Sequence, residues 1–269
     1  MDLPELAERD ATGEKAAIYA EIRRLGGVPM VALIFRHLAT LPGALEWLWA
    51  AVAPAWRNGL VQESAWRVAS AVPLLPIAAM PRAVLAAMGV DDEARDEINV
   101  VLAAYNRANP ENLLTVLCLL RLVNGHDAMR AITARPWVPP AAPGPLVPMD
   151  DIGSLPAEVA ALLQLVSDPA PAGSPRVVQS LYRHFTHRPA FLALAVTLLH
   201  QRFLDGSIIT AADQVHEAMS RMADEIVATV TAPAAPHPGI GPVCARFGGR
   251  VIPRMIVVGR LLQEAIGDS

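Results

Sequence analysis

Apolar residues recur along most of this chain with the period of an α-helix. Within 13–25, for example, Ala16, Ile18, Ile22 and Leu25 fall roughly one helical turn apart. Glycine and proline then end the apolar stretches, as they commonly do at helix termini. No stretch alternates apolar and polar residues in the manner of a half-buried strand. The pattern therefore predicts an all-α fold.

Short loops at glycine and proline separate the predicted helices. Pro81 lies in the first turn of one helix, and Asp91 to Glu93 place negative charge at the start of the next, where the helix dipole favours it. Asn109-Pro110 is expected to interrupt that helix, because proline lacks a backbone N–H. The helices predicted in this way are 13–25, 30–40, 44–57, 60–70, 81–89, 92–107, 113–123, 155–167, 176–187, 189–202, 208–230 and 249–266.

A short phrase occurs twice at one fixed spacing. It joins an arginine-histidine pair to a proline that follows, and the copies lie 147 positions apart: Arg36, His37 and Pro42, then Arg183, His184 and Pro189. Asn58-Gly59 and Asp205-Gly206 have the same spacing. Self-similarity over so long a period indicates a duplicated helical unit rather than a solenoid, whose repeats have ~20–50 residues.

Prolines are concentrated between residues 136 and 148. Such a stretch cannot pack as a helix or a central strand, so we expect it to run extended over the surface. We therefore predict helical repeat one at 1–134, a Pro-rich linker at 135–154 and helical repeat two at 155–269. The two pseudo-symmetric repeats should pack as one compact unit, with a ligand crevice between them.

The chain is apolar but not built for a membrane. Hydrophobic residues make up 53% of it, yet proline and charged residues interrupt every apolar stretch before the ~20 residues that a spanning helix needs. The acidic start at 1–5 lacks the basic and apolar regions of a signal peptide. We therefore expect a cytoplasmic protein with no membrane partner.

Charge and cysteine content remove further classes of partner. The net charge is −4 and Lys15 is the one lysine, so no basic cluster suits nucleic acid. Cys118 and Cys244 are expected to be buried thiols. His184 and His187 lie one turn apart but lack a third ligand, so we interpret them as scaffold or surface residues and predict no metal site.

Three segments resemble a known enzyme family. Residues 28–43, 89–93 and 104–114 are similar, in order and spacing, to the group I 2-haloacid dehalogenases, which act on both D and L substrates. The resemblance implies an all-helical protein with two pseudo-symmetric halves and a long linker. It also implies a small carboxylic acid as substrate, no cofactor and no metal, and it suggests a homodimer.

The resemblance also implies a site. In the family, an aspartate of the second half activates the water that displaces halide from C2, and the asparagine of an Asn-Pro motif holds that water; Asn109 matches the asparagine. The aspartate position is occupied by Leu181, which can neither accept a proton nor orient water. The pocket wall implied by the family, together with the residues beside Leu181, comprises Met30, Ala32, Leu33, Asn112, Gln179 and Ser180.

We therefore predict a divergent 2-haloacid dehalogenase-like protein that binds a small 2-substituted carboxylic acid but lacks hydrolytic dehalogenation. One alternative is an active, cofactor-free hydrolase that uses another carboxylate, such as Asp168. Another is a different reaction through a residue of 249–266. Arg36 and Arg183 could clamp a carboxylate, but their recurrence in both copies favours structural ion pairs.

Overall fold

The computed structural model describes residues 4–125, 135–166 and 178–267, and these residues contain helices and no strand. The predicted all-α fold is confirmed. The α-helices are α1 Gly13–Gly26, α2 Leu33–Leu38, α3 Ala44–Arg57, α4 Leu60–Ala71, α5 Arg82–Ala87, α6 Asp92–Val123, α7 Ala157–Val166, α8 Ser180–His184, α9 Pro189–Leu204, α10 Ser207–Val227, α11 Ile240–Arg246 and α12 Ile252–Ile266. Single 3₁₀ turns cover Glu8–Asp10 and Ile152–Ser154, and a π-helical turn covers Phe247–Val251.

Helix α6 lies at the centre of the molecule and packs against α4, α10, α11 and α12. Its first turn is capped by Asp91, whose carboxylate accepts a hydrogen bond from the Ala94 N–H at 2.9 Å. The expected interruption at Asn109-Pro110 is wrong, because α6 continues through Pro110. A proline inside a helix costs about 3 kcal/mol. Every residue from 108 to 119 is buried, and each large apolar side chain buried there contributes roughly 1.5–3 kcal/mol, which outweighs that cost.

The tryptophans of α3 belong to the core, as their sequence context predicted. Trp56 is 1% exposed and lies against Trp49, with ring centroids 5.5 Å apart. Its indole N–H donates to the Thr115 hydroxyl on α6 at 3.1 Å, which satisfies the polar end of the ring inside the core. This hydrogen bond links α3 directly to the central helix α6.

The turns before α4 and α10 are built alike. Asn58 and Asp205 each accept a hydrogen bond from the backbone N–H two residues further on, at 3.0 and 2.8 Å. The glycines that follow, Gly59 and Gly206, have φ angles of +74° and +76°, a left-handed conformation that other residues adopt at a cost. These paired turns agree with the predicted repeat. The superposition of the two halves remains a prediction.

The segment before α2 is extended, where the sequence predicted helix. The N–H of Val31 donates to a Glu8 carboxylate oxygen at 2.7 Å, and Ala32 has extended φ and ψ angles. The helix therefore begins at Leu33 rather than at residue 30. The observed start leaves 29–32 as a loop that faces the interior of the protein.

The proline-rich segment 135–151 has no regular secondary structure, as its composition predicted. Contacts hold it against the helices along its length. The Trp137 indole stacks obliquely on Trp66, with centroids 6.0 Å apart, and donates to the Leu25 carbonyl at 3.0 Å. Arg107 donates to the Ala141 carbonyl at 2.7 Å. The linker is therefore a packed part of the fold as well as a connection.

Two further expectations concern the described residues. Cys118 and Cys244 are buried free thiols, as predicted. Among these residues, no single helix has the length and hydropathy needed to cross a membrane, and only α9 and α10 counted together, across a 78° bend, reach that combination.

Candidate functional site

A cavity of about 490 Å³ lies beside α6, between the first and the last parts of the chain. Its walls come from the 29–32 loop and α2 on one side, α8 on another, and the end of the linker and the turn before α12 on the remaining sides. The lining residues are Glu8, Pro29, Met30, Val31, Ala32, Leu33, Ile34, Arg36, Tyr105, Asn109, Asn112, Pro145, Leu146, Val147, Pro148, Met149, Gln179, Ser180, Leu181, His184, Phe247, Val251, Ile252 and Met255.

One face of α6 supplies the polar floor of this cavity. Tyr105, Asn109 and Asn112 follow one another at spacings of four and three residues, which places them on the same side of the helix. Asn109 is 8% exposed, and its Nδ2 is buried without a hydrogen-bond partner in the described part of the chain. A buried amide N–H without a partner is costly. This amide is therefore a donor available to a bound molecule.

Leu181 lies in the opposite wall, on α8, and is completely buried. Its neighbour Ser180 shares a side-chain hydrogen bond with the Tyr105 hydroxyl. Burial raises the pKa of the Tyr105 phenol to about 12, against a smaller opposing effect of that bond and of nearby arginines, so the phenol keeps its proton. The wall at Leu181 is therefore apolar, with protonated hydroxyl groups beside it.

Arg36 brings a positive charge to the cavity from α2. Its Nη2 lies 3.2 Å from the Glu5 carboxylate, and its side chain is 13% exposed. The Nε of the same guanidinium is buried without a hydrogen-bond partner among the described residues. The predicted structural ion pair is present, and it leaves part of the guanidinium unused. Arg183, its counterpart 147 positions later, donates to the Asp150 carbonyl and does not line the cavity.

His184 lines the cavity as a neutral imidazole. Its Nδ1 donates to the Val147 carbonyl at 2.8 Å, so the tautomer has its lone pair at Nε2. Burial lowers the pKa of His184 to about 4, and the nearby charges of Arg183, His187 and Arg36 act in the same direction. The scaffold role predicted for this histidine is present in the bond to Val147. His37 makes the equivalent contact with the Pro4 carbonyl at 2.6 Å.

Glu8 is the acidic residue among the described lining residues. One of its carboxylate oxygens accepts the Val31 N–H, and the other pairs with Arg23. Both oxygens therefore have partners that hold the 29–32 loop in place. The contacts of Glu8 are therefore structural, since they join the loop to the segment before α1.

The last wall comes from the π-helical turn and α12, through Phe247, Val251, Ile252 and Met255. A π turn inserts an extra residue into a helix and redirects the side chains that follow. Gly248 allows the turn to approach α6, since a Cβ there would lie 3.0 Å from a Val116 methyl group. The sequence left open which residues of 249–266 reach a pocket. The turn was not predicted, and the Gly248-Gly249 pair is the feature of the sequence that could have indicated it.

The structure brings the residues predicted for the site into one cavity. The lining includes Met30, Ala32, Leu33, Asn109, Asn112, Gln179, Ser180 and Leu181. Asp168 lies outside the described residues. Tyr105, the linker residues 145–149 and Phe247 also line the cavity and were not predicted from the sequence. Within the described ranges, no three His, Cys, Asp or Glu side chains are grouped as metal ligands would be.

Comparisons with known proteins place this cavity in context. No family model matches the chain. A configuration-inverting 2-haloacid dehalogenase from Alcaligenes xylosoxydans xylosoxydans is 32% identical over 202 residues, which cover 71% of this chain and 63% of that protein. The chain thus spans less than two thirds of the length of this relative.

Crystal structures of D-2-haloacid dehalogenases have the same fold. A mutant form superposes with a TM-score of 0.79 at 16% identity, covering 98% of this chain and 96% of the other. A complex with L-LA gives 0.75 at 16% identity, with the same coverage. A mutant complex with D-2-CPA gives 0.69 at 17% identity, covering 98% and 91%. The sequence identity shows that the chain is a homologue of a 2-haloacid dehalogenase, and the structural comparison shows that it has the fold of the D-2-haloacid dehalogenases.

Proposed function

We propose that the cavity binds a small 2-substituted carboxylic acid and that the chain does not catalyse hydrolytic dehalogenation. The observation that carries this proposal is that Leu181 is fully buried in the cavity wall. The family resemblance aligns Leu181 with the water-activating aspartate. The acid-binding half of the proposal is supported by the curated relative, whose name refers to 2-haloacids.

The chemistry of the lining suits such a ligand. Leu33, Ile34 and Leu181 provide apolar surface for the carbon chain. The Arg36 Nε on α2 and the Asn109 Nδ2 on α6 are N–H donors without a hydrogen-bond partner among the described residues. An apolar pocket with a few converging polar groups is the usual form of a small-molecule site.

We expect the loss of hydrolysis because Glu8, the carboxylate among the described lining residues, is engaged by other groups. Removing a general base typically costs ~10²–10⁴-fold in rate. Glu8 cannot readily take over, because Arg23 and the Val31 N–H already engage its carboxylate. The alternative of an active hydrolase using Asp168 concerns a residue outside the described ranges.

Halide release tests this proposal directly. The purified chain is incubated with each enantiomer of 2-chloropropionate, and chloride is followed with an ion-selective electrode. We expect no release above the uncatalysed rate, together with a rise in melting temperature when millimolar acid is added, because a ligand that binds the folded state stabilises it. Enzymatic release of chloride by the wild-type chain would refute the loss of hydrolysis, and an unchanged melting temperature would refute binding.

A substitution at the critical position sharpens the test. Leu181→Asp restores a carboxylate opposite Asn109, and we expect it to release chloride at least tenfold faster than Leu181→Asn, which has the same size without a base. Equal rates for the two variants, with circular dichroism spectra like that of the wild type, would show that Leu181 does not occupy the position of the water-activating group.

A further inference from the structure

We propose that the cavity is selective for 2-hydroxy carboxylic acids of medium chain length, with Arg36 binding the carboxylate and His184 and Asn109 binding the 2-hydroxyl group. This inference rests on the proposed function, since it names the ligand class of the same cavity. Arg36, His184 and Asn109 are the residues that would determine which acid binds.

The lining presents no uncompensated negative charge to an anion. Of the described lining residues, Arg36 and Glu8 carry charge, and each has an ion-pair partner: Glu5 for Arg36 and Arg23 for Glu8. Leu181 places no negative charge beside the ligand, whereas an aspartate there would repel a carboxylate. The charges at the lining are therefore balanced, and a ligand carboxylate would meet the Arg36 guanidinium without an opposing carboxylate at 181.

Arg36 has the donor that a carboxylate needs. The ion pair with Glu5 uses Nη2, while Nε is buried without a partner among the described residues. A guanidinium can donate from two nitrogens to the two oxygens of one carboxylate. An oxygen of a ligand carboxylate could accept a hydrogen bond from the Arg36 Nε while Nη2 keeps its contact with Glu5.

The groups around the remaining space match a hydroxyl rather than a halogen. The Asn109 Nδ2 is a buried donor without a partner in the part of the chain that the structure describes, and the residue is more than nine-tenths buried. The Nε2 of His184 is an acceptor, because Nδ1 donates to Val147. The His184 and Tyr105 rings lie 5.6 Å apart, and Tyr105 precedes Asn109 by one turn of α6, so the donor and the acceptor belong to the same region. A hydroxyl group accepts from the first and donates to the second, whereas chlorine has no proton to donate.

The size of the cavity favours a longer chain than that of 2-hydroxypropionate. Its volume of about 490 Å³ lies in the range of pockets that hold drug-sized molecules. Ile34, Ile252 and Met255 supply apolar wall. Each methylene group that becomes buried improves affinity about fourfold. A three-carbon acid leaves most of this surface unused.

Isothermal titration calorimetry on the full chain tests the ligand class. The probes are 2-hydroxypropionate, 2-hydroxyhexanoate, 2-chlorohexanoate and unsubstituted hexanoate. We expect 2-hydroxyhexanoate to bind roughly 3- to 10-fold more tightly than hexanoate, as one net hydrogen bond allows, and more tightly than the 2-chloro acid. We also expect it to exceed 2-hydroxypropionate by about fourfold for each added methylene.

Three variants assign the contacts. Arg36→Gln should weaken binding of all the acids about 10- to 100-fold, as loss of a charge-assisted bond predicts. Glu5→Gln is the matched control, because it removes the same ion pair and keeps the guanidinium, so binding should persist. His184→Asn keeps a donor for the Val147 carbonyl and removes the distal acceptor, so it should abolish the preference for 2-hydroxyhexanoate over hexanoate with little effect on hexanoate itself.

The possible results distinguish a failure of this inference from a failure of the proposed function. If none of the acids binds, the proposed function fails and the inference fails with it. If the acids bind with no preference for the hydroxyl group, or if Arg36→Gln binds like Glu5→Gln, the proposed function stands and the inference is overturned. Hydroxyl selectivity that is lost in His184→Asn is the result that supports it.

Discussion

Glu111 offers a test of the packing around α6, because it is a carboxyl group inside the core. It is 1% exposed, and its Oε1 is buried without a hydrogen-bond partner among the described residues. The other oxygen lies against the backbone of Gly26, where an added Cβ would approach it to 2.6 Å. Burial raises the pKa of Glu111 well above 4.5, and the opposing influences of Arg107 and Trp66 are smaller. The folded protein therefore keeps this carboxyl protonated to a higher pH than the unfolded chain does.

This pKa shift makes the stability depend on pH with a definite sign. Below the unfolded pKa of Glu111, both states bind the proton and the free energy of unfolding is unaffected. Above it, the unfolded chain loses the proton while the fold retains it, so the free energy of unfolding falls by about 1.4 kcal/mol for each pH unit, until Glu111 ionises in the fold. For a chain of this size, that slope corresponds to roughly 3–6 °C in Tm per pH unit.

The substitution Glu111→Gln removes the titrating proton at almost constant shape. We expect its Tm, followed by tryptophan fluorescence between pH 5 and pH 8, to gain on that of the wild type as the pH rises. Glu217→Gln serves as a control, because Glu217 forms an exposed pair with Arg221, so its curve should run parallel to the wild-type curve. Parallel curves for Glu111→Gln and the wild type would refute a protonated Glu111 in the fold.

Two other predictions test local structure. Gly59→Ala should destabilise the protein more than Gly206→Ala. Both sites have a positive φ, which costs an alanine about 1–2 kcal/mol, but a Cβ at Gly59 would also lie 2.3 Å from the Trp137 ring, whereas nothing lies within 4 Å at Gly206. Equal losses of stability in urea denaturation would show that Trp137 moves away freely. Cys118 and Cys244 should not react with a thiol reagent until the protein unfolds, because burial raises the pKa of each thiol to about 12; rapid labelling of the native chain at pH 8 would contradict this.

The sequence predicted much of the candidate site because the resemblance covered the segments that form it. Asn109 and Asn112 on α6, and Met30 in the loop before α2, were placed in the pocket by their position in matched motifs, and they line one cavity. Tyr105 was missed although it lies within a matched segment, because no chemistry marks a lone tyrosine. His184 was interpreted as scaffold because it recurs at 37, and its bond to Val147 agrees with that role. Its place in the cavity lining and the lone pair at Nε2 depend on the position of Val147, which the sequence does not reveal.

By itself, the sequence determined the helical character of the chain, the glycine turns before α4 and α10 and the extended proline-rich segment. Each depends on a pattern within a few residues: the spacing of apolar residues, a glycine that can adopt positive φ, or consecutive prolines. Through the family resemblance it also predicted that Leu181 replaces the water-activating aspartate, and this stays a prediction. Only the tertiary structure decided that α6 runs unbroken through Pro110, since the burial of a whole helical face is a sum over distant contacts. The same holds for the partners of Glu8, the free side of Arg36 and the tautomer of His184, because each depends on atoms from segments far apart in the chain.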